Sequence, residues 1–181
     1  MQVLTRHHHF KMKQIQQMSS GKESREIMAV KLLPNVYLGD GRAASSAGFF
    51  KEAEISGVLN MTASLPNKFR EDEHIEYLRV PVYDSKEKRD VNKMKEYLHV
   101  VTEFIYKITV IENRNILVHC ALGRQRSCAA VAAFLIKYHK MTPIDAMRYI
   151  VQRKPDAFHH GIQANFAWSL NAWYQSLADA V

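Results

Sequence analysis

From residue 29 onward the apolar positions follow two periods, short β-like runs and longer helical stripes. Ala29–Leu33 and Val36–Leu38 flank the turn pair Pro34-Asn35 and predict an antiparallel hairpin. Helical composition follows over Ala43–Ala53. Val58–Met61 and Tyr77–Val82 predict short strands, separated by the polar, Pro-containing loop Ser64–Asp72. Val91–Glu112 predicts a helix, because Met94, Leu98, Val101, Ile105 and Ile108 recur at helical spacing and form one buried stripe. Ile116-Leu117-Val118 is a continuous apolar run, as in a strand covered on both faces. A polar loop with one glycine, His119–Arg126, separates it from Ser127–Tyr138, which is apolar nearly all round and suits only a central helix. Thr142-Pro143-Ile144-Asp145 carries a helix start: a Thr cap, Pro in the first turn and an acid three residues on. A last helix is expected over Ile162–Ala178, with Ile162, Phe166, Leu170, Trp173 and Leu177 on one face. Alternating strands and helices predict an α/β fold.

Residues 1–28 break this pattern. They hold five basic residues against two acidic ones, a His7-His8-His9 run and the break Ser19-Ser20-Gly21. We expect a partly disordered N-terminal extension there and a catalytic domain over 29–181. The longest clearly apolar run, Ala129–Ile136, falls far short of the roughly 18–20 residues that span a bilayer. No apolar signal-peptide core opens the chain. Two cysteines give neither a disulfide framework nor a paired zinc spacing, so a reducing interior is the expected setting, cytoplasm or nucleus. The net charge of +7 favours anionic partners, but the basic residues are scattered, which weakens a nucleic-acid reading.

The chemistry concentrates in His119-Cys120-Ala121-Leu122-Gly123-Arg124-Gln125-Arg126-Ser127, between a buried strand and a buried helix. Such a loop is an anion cradle. Gly123 permits a tight backbone path, successive N–H groups can point inward, and the helix that follows adds its positive end. Cys120 opens the loop and Arg126 returns to the same place. Backbone donors, helix dipole and guanidinium all favour a thiolate over a thiol. The planar fork of Arg126 matches two oxygens of a phosphate.

His119–Ser127 fits the pattern His-Cys-x5-Arg-Ser/Thr, and the chain resembles the dual-specificity branch of the cysteine-dependent protein tyrosine phosphatases. The resemblance covers about residues 29–178 and includes Val36-Tyr37-Leu38-Gly39, Gly57-Val58-Leu59-Asn60 and Pro81-Val82-Tyr83-Asp84. It implies a mixed, roughly five-stranded sheet flanked by helices, and catalysis without metal or other cofactor. It also implies roles by position. Cys120 is the nucleophile that forms a cysteinyl-phosphate. Arg126, with the N–H groups of Ala121 to Gln125, binds the phosphoryl group. Ser127 hydrogen-bonds the departing thiolate, and His119 supports the loop. Asp84 protonates the leaving oxygen and then activates water. Asp90 is the competing acid, unless it caps the helix near Val91.

Leu122 and Gln125 depart from the family pattern. The first makes the rim more apolar; the second either narrows the pocket or adds an amide contact. Pro155-Asp156 stands where the family often has Pro-Asn. Cys128 reads as a core residue, with a redox partner for Cys120 as the alternative. The expected substrate is a phosphorylated protein, with phosphotyrosine and phosphoserine/threonine both admitted. Two rivals stand beside it. One is a phosphoinositide or other phospholipid phosphatase, for which Arg124 would be an added cation unless it faces solvent or pairs with an acid. The other is a phosphoprotein-binding module with weak catalysis.

Overall fold

The structure, a computed structural model, describes residues 28–85, 87–158 and 166–179. The chain opens with β1 (Ala29–Leu33) and β2 (Val36–Gly39), the expected antiparallel hairpin. Asn35 in its turn donates through Nδ2 to Thr109 O (3.2 Å) and Asn113 Oδ1 (2.9 Å), tying the hairpin to the segment that leads into the strand beside it. A 3₁₀ turn (Ala43–Ser45) and α1 (Ala47–Glu52) follow, with the Ser46 hydroxyl accepting from Phe49 N at the helix start. Next come β3 (Ile55–Asn60), β4 (Glu76–Arg79), α2 (Lys88–Tyr106), β5 (Asn115–His119), α3 (Arg126–Tyr138), α4 (Pro143–Arg153) and α5 (Ala167–Ala178).

The five strands form one sheet in the order β1-β2-β5-β3-β4. β5 lies parallel between β2 and β3, and β4 runs parallel to β3 at the edge. This is the mixed sheet that the resemblance implied. The central position explains why Ile116, Leu117 and Val118 are all fully buried. Their side chains alternate between the faces. Leu117 packs with Phe50, Ile55 and Val58 on the α1 side, while Ile116 and Val118 join the larger cluster under the helices. Gly57 sits where a Cβ would come 2.7 Å from Ile108 Cγ2, so the close approach of the α2 end requires a glycine.

Met94, Leu98, Val101, Ile105 and Ile108 are completely buried, as their spacing predicted. The helix nevertheless starts at Lys88, three residues before Val91, and its last turn, Lys107–Ile111, widens into a π-helix. The wider turn keeps Ile108 inside while Val110 and Ile111 face solvent. Strand limits also shift: β3 ends at Asn60 and β4 at Arg79, because Met61 and Val80–Val82 leave the sheet to line the site. Thr142 caps α4 as expected, accepting from Asp145 N at 3.3 Å. α5 starts at Ala167, with Phe166 and Leu170 fully buried; the predicted positions 162–165 lie outside the described residues, as does the histidine triplet.

The register aligns Gly39, His119 and Asn60 across the sheet, and Asn60 with Arg79. The chain therefore leaves β2, β5, β3 and β4 at the same edge. Open parallel sheets bind ligands at that edge, beyond the carboxyl ends of the strands.

Candidate active site

Cys120, the first residue after β5, is buried with its thiol at the base of the 120–126 loop. The loop turns at Gly123, whose φ is +68°, and a Cβ there would lie 2.7 Å from Gly39 O. Both the left-handed backbone and the close contact disfavour any residue with a Cβ. Four loop carbonyls are taken by donors from outside the loop's interior. Ala121 O accepts from Gly41 N (3.1 Å), Arg124 O from Phe158 N (2.7 Å) and Gln125 O from Ala129 N (2.8 Å). Gly123 O accepts from Cys128 Sγ (3.3 Å). Each peptide plane so pinned turns its N–H, on the opposite side, toward the interior of the loop. A loop held this way on its carbonyl side suits a tetrahedral oxyanion on its N–H side.

Arg126 opens α3 and reaches back across the loop. Its Nη1 donates to Val82 O (3.2 Å) and Met61 O (3.5 Å), the chain just beyond β4 and β3. Its Nε is buried and has no hydrogen-bond partner among the described residues. Asp84 Oδ2 lies 3.7 Å away, an ion pair too long for a hydrogen bond. A buried guanidinium donor left unmade costs about 1–3 kcal/mol, which an oxyanion in the cradle would recover. Ser127 Oγ donates to Cys120 Sγ at 3.3 Å. His119 is buried, its Nδ1 3.4 Å from Cys120 O, and burial pulls its pKa down to about 4, so the ring is neutral at pH 7. The imidazole is enclosed against the backbone at the start of the loop.

The two candidate acids separate clearly. Asp84 keeps 33 % of its side chain exposed and faces Arg126. Asp90 is buried in the first turn of α2, where its Oδ2 accepts from Ser85 Oγ at 2.5 Å; the N-cap of that helix is Glu87. The alternative of Asp90 as the helix cap is therefore corrected: it anchors the residue next to Asp84 instead.

Leu122 is 66 % exposed and makes an apolar rim. Gln125 is buried, and neither atom of its amide has a hydrogen-bond partner among the described residues. Arg124 pairs with Asp156 (Nε to Oδ2, 3.2 Å). Cys128 is fully buried, and burial pushes its thiol well above the ordinary range. Its S–H serves the Gly123 carbonyl, which fits the core reading.

Sequence reasoning missed the supports around the loop. Arg79 donates to Thr62 O (3.2 Å), Ala63 O (3.3 Å) and Leu65 O (2.5 Å). Asn60 donates to Leu65 O (3.0 Å) and accepts from Thr62 Oγ1 (2.7 Å). Together they fix the segment that carries Met61 O to Arg126. The only signal was a polar residue inside each of two apolar strand runs, Asn60 in Val58–Met61 and Arg79 in Tyr77–Val82.

No cluster of three or more His, Cys, Asp or Glu side chains that could hold a metal occurs among the described residues. No helix among them is long and apolar enough to cross a membrane.

The family model for the dual specificity phosphatase catalytic domain matches residues 36–176. Dual specificity protein phosphatase 18 of Rattus norvegicus is 30 % identical over 121 residues, 67 % of this chain and 56 % of that protein. Its Homo sapiens counterpart is 31 % identical over 121 residues, 67 % of this chain and 61 % of that protein. The matched region thus spans less than two thirds of these relatives. In fold, the chain is similar to the crystal structure of human DUSP28, with a TM-score of 0.68, 21 % identity and coverage of 84 % of this chain and 96 % of that one. The family model covers well over half of the chain, and the chain belongs to the dual specificity phosphatase catalytic-domain family.

Proposed function

We propose that the chain is a cysteine-dependent phosphoprotein phosphatase that hydrolyses phosphotyrosine, with phosphoserine and phosphothreonine as further substrates. The observation that carries it is one constellation: a buried Cys120 that accepts from Ser127 Oγ, a loop whose carbonyls are bonded to donors around it, and an Arg126 whose unpartnered Nε lies 3.7 Å from Asp84. Cys120 attacks phosphorus as the thiolate while the P–O bond to the substrate breaks, and Asp84 gives its proton to the departing oxygen. Arg126 and the loop N–H groups hold the equatorial oxygens. Asp84, now a carboxylate, takes a proton from water as that water attacks phosphorus and the P–S bond breaks. Ser127 stabilises the returning thiolate, and orthophosphate leaves. The phospholipid alternative leaned on Arg124 as an added cation, and Asp156 already engages it.

We take residues 29–181 as the catalytic unit and 1–28 as an extension. A nucleophilic thiol with no disulfide partner suits the reducing cytoplasm or nucleus. The test is hydrolysis of a phosphotyrosine peptide by the wild type and by Cys120→Ser. The variant is expected to fold and bind phosphate while losing turnover, since a hydroxyl is a far weaker nucleophile than a thiolate. Comparable turnover by the variant would overturn the mechanism.

A further inference from the structure

Beside the catalytic loop lies a cleft of about 410 Å³. Leu122 and Arg124 of the loop, Asp40 and Arg42 after β2, and Lys154 and Asp156 after α4 wall it. Because it shares Leu122 with the rim, substrate residues next to the phosphorylated one can reach it within a residue or two, at about 3.3–3.6 Å each. By cations alone the cleft would attract an acidic flank. Its carboxylates change that. Asp40 accepts from Arg42 Nε (2.8 Å) and Nη2 (2.7 Å). Asp156 accepts from Lys154 Nζ (2.5 Å) and Arg124 Nε (3.2 Å). The Lys154 side chain is only 7 % exposed and that of Asp156 is 43 % exposed, so the cleft presents the carboxylate to solvent and hides the ammonium behind it. An ammonium that deep needs a counterion, and the chain supplies its own. A second carboxylate or phosphoryl group arriving here would meet Asp156 before Lys154, and would find the equally exposed Arg124 already paired with that carboxylate.

We propose that Asp156 is a specificity-determining residue: as internal counterion to Arg124 and Lys154, it makes the enzyme indifferent to anionic groups beside the phosphorylated residue. The proposal rests on the phosphatase reading above. It predicts that sites with neutral and with anionic neighbours are turned over about equally well, and it identifies the charge that sets this indifference. Replacing Asp156 by Asn keeps the shape and one acceptor oxygen but releases one positive charge into the cleft.

The experiment measures kcat/KM for phosphotyrosine peptides flanked on either side by Ala, Glu or phosphoserine, at low and high ionic strength. For the wild type, the anionic-to-Ala ratio is expected to stay within about threefold of one, since Asp40 and Asp156 offset two of the cleft's three cations and leave a single net positive charge in contact with water. In Asp156→Asn the ratio should rise roughly tenfold at low salt and fall back at high salt, as a screened charge interaction must. A gain with Glu marks a carboxylate subsite and a gain with phosphoserine alone a phosphoryl subsite; either supports the proposal. A wild type that already favours anionic flanks by about tenfold overturns it, and that outcome needs no variant. So does an Asp156→Asn protein that melts like the wild type and shows an unchanged ratio. Asp156→Ser, which still offers Lys154 an acceptor, gives the same reading if the Asn variant does not fold. Failure of the wild type to turn over even the Ala-flanked peptide would instead overturn the phosphatase reading.

Discussion

Asp84 and Asp90 are six residues apart, carry the same side chain, and differ in what surrounds them. Asp84 is open to the pocket and faces Arg126 across 3.7 Å; Asp90 is enclosed and committed to Ser85. Asp84→Asn is therefore expected to lower kcat on phosphotyrosine by roughly 10²–10⁴, the usual worth of general acid catalysis. The loss should shrink for an activated aryl phosphate, whose leaving oxygen scarcely needs a proton. The pH–rate profile should also lose its basic limb. Asp90→Asn retains an oxygen for the Ser85 hydroxyl, so its profile should keep that limb. If the two variants exchange these behaviours, Asp90 is the acid. Cys120, Arg126 and Ser127 were legible in the sequence because a single short loop carries all three. Asp84 was preferred over Asp90 for its place at the end of a β-run before a polar loop; that Asp90 is enclosed could not be read there, since it depends on packing.

Among the elements, the loop from Cys120 to Arg126 depends most on one backbone angle. Gly123→Ala would put a methyl group 2.7 Å from Gly39 O at a φ of +68°. We expect destabilisation of about 2–3 kcal/mol, since the left-handed conformation alone costs roughly 1–2 for a residue with a Cβ. Aryl-phosphate turnover should fall by at least about a hundredfold as the loop opens, a loss on the scale of removing one oxyanion donor. Unfolding curves and steady-state kinetics on the same variant check both. The helices were legible wherever a stripe of large apolar residues repeated, as from Met94 to Ile108. The π-turn was not, because Lys107–Ile111 has the composition of a continuing α-helix. Nor were the Asn60 and Arg79 networks, whose partners are backbone carbonyls that the sequence does not distinguish.

For the molecule as a whole, His119 couples stability to pH. Its pKa falls from an ordinary 6.5 to about 4 on burial, so the unfolded chain binds more protons between those values. The stability it contributes is complete above about pH 6.5 and drains as pH falls toward 4, by up to about 1.4 kcal/mol per unit. Asp156, where Lys154 and Arg124 outweigh the opposing effect of burial, has a lowered pKa and adds its loss only lower, through the carboxylate range. Urea unfolding between pH 7.5 and 4.5 should show this slope, and His119→Asn should flatten it. An undiminished slope in the variant would place its origin elsewhere.

The outward anchoring of the loop carbonyls has a thermal consequence. With Ala121, Gly123, Arg124 and Gln125 all bonded on their carbonyl side, the inward N–H groups crowd positive partial charge into one small space. The unliganded fold bears that repulsion, and any tetrahedral oxyanion relieves it. Binding confined to the native state at a hundred times its Kd adds about 2.7 kcal/mol. For a chain of this size that corresponds to a melting point raised by roughly 5–10 °C. Orthophosphate or vanadate should therefore act on this protein as a heat protectant, in Cys120→Ser as well as in the wild type. A chloride salt at matched ionic strength should not.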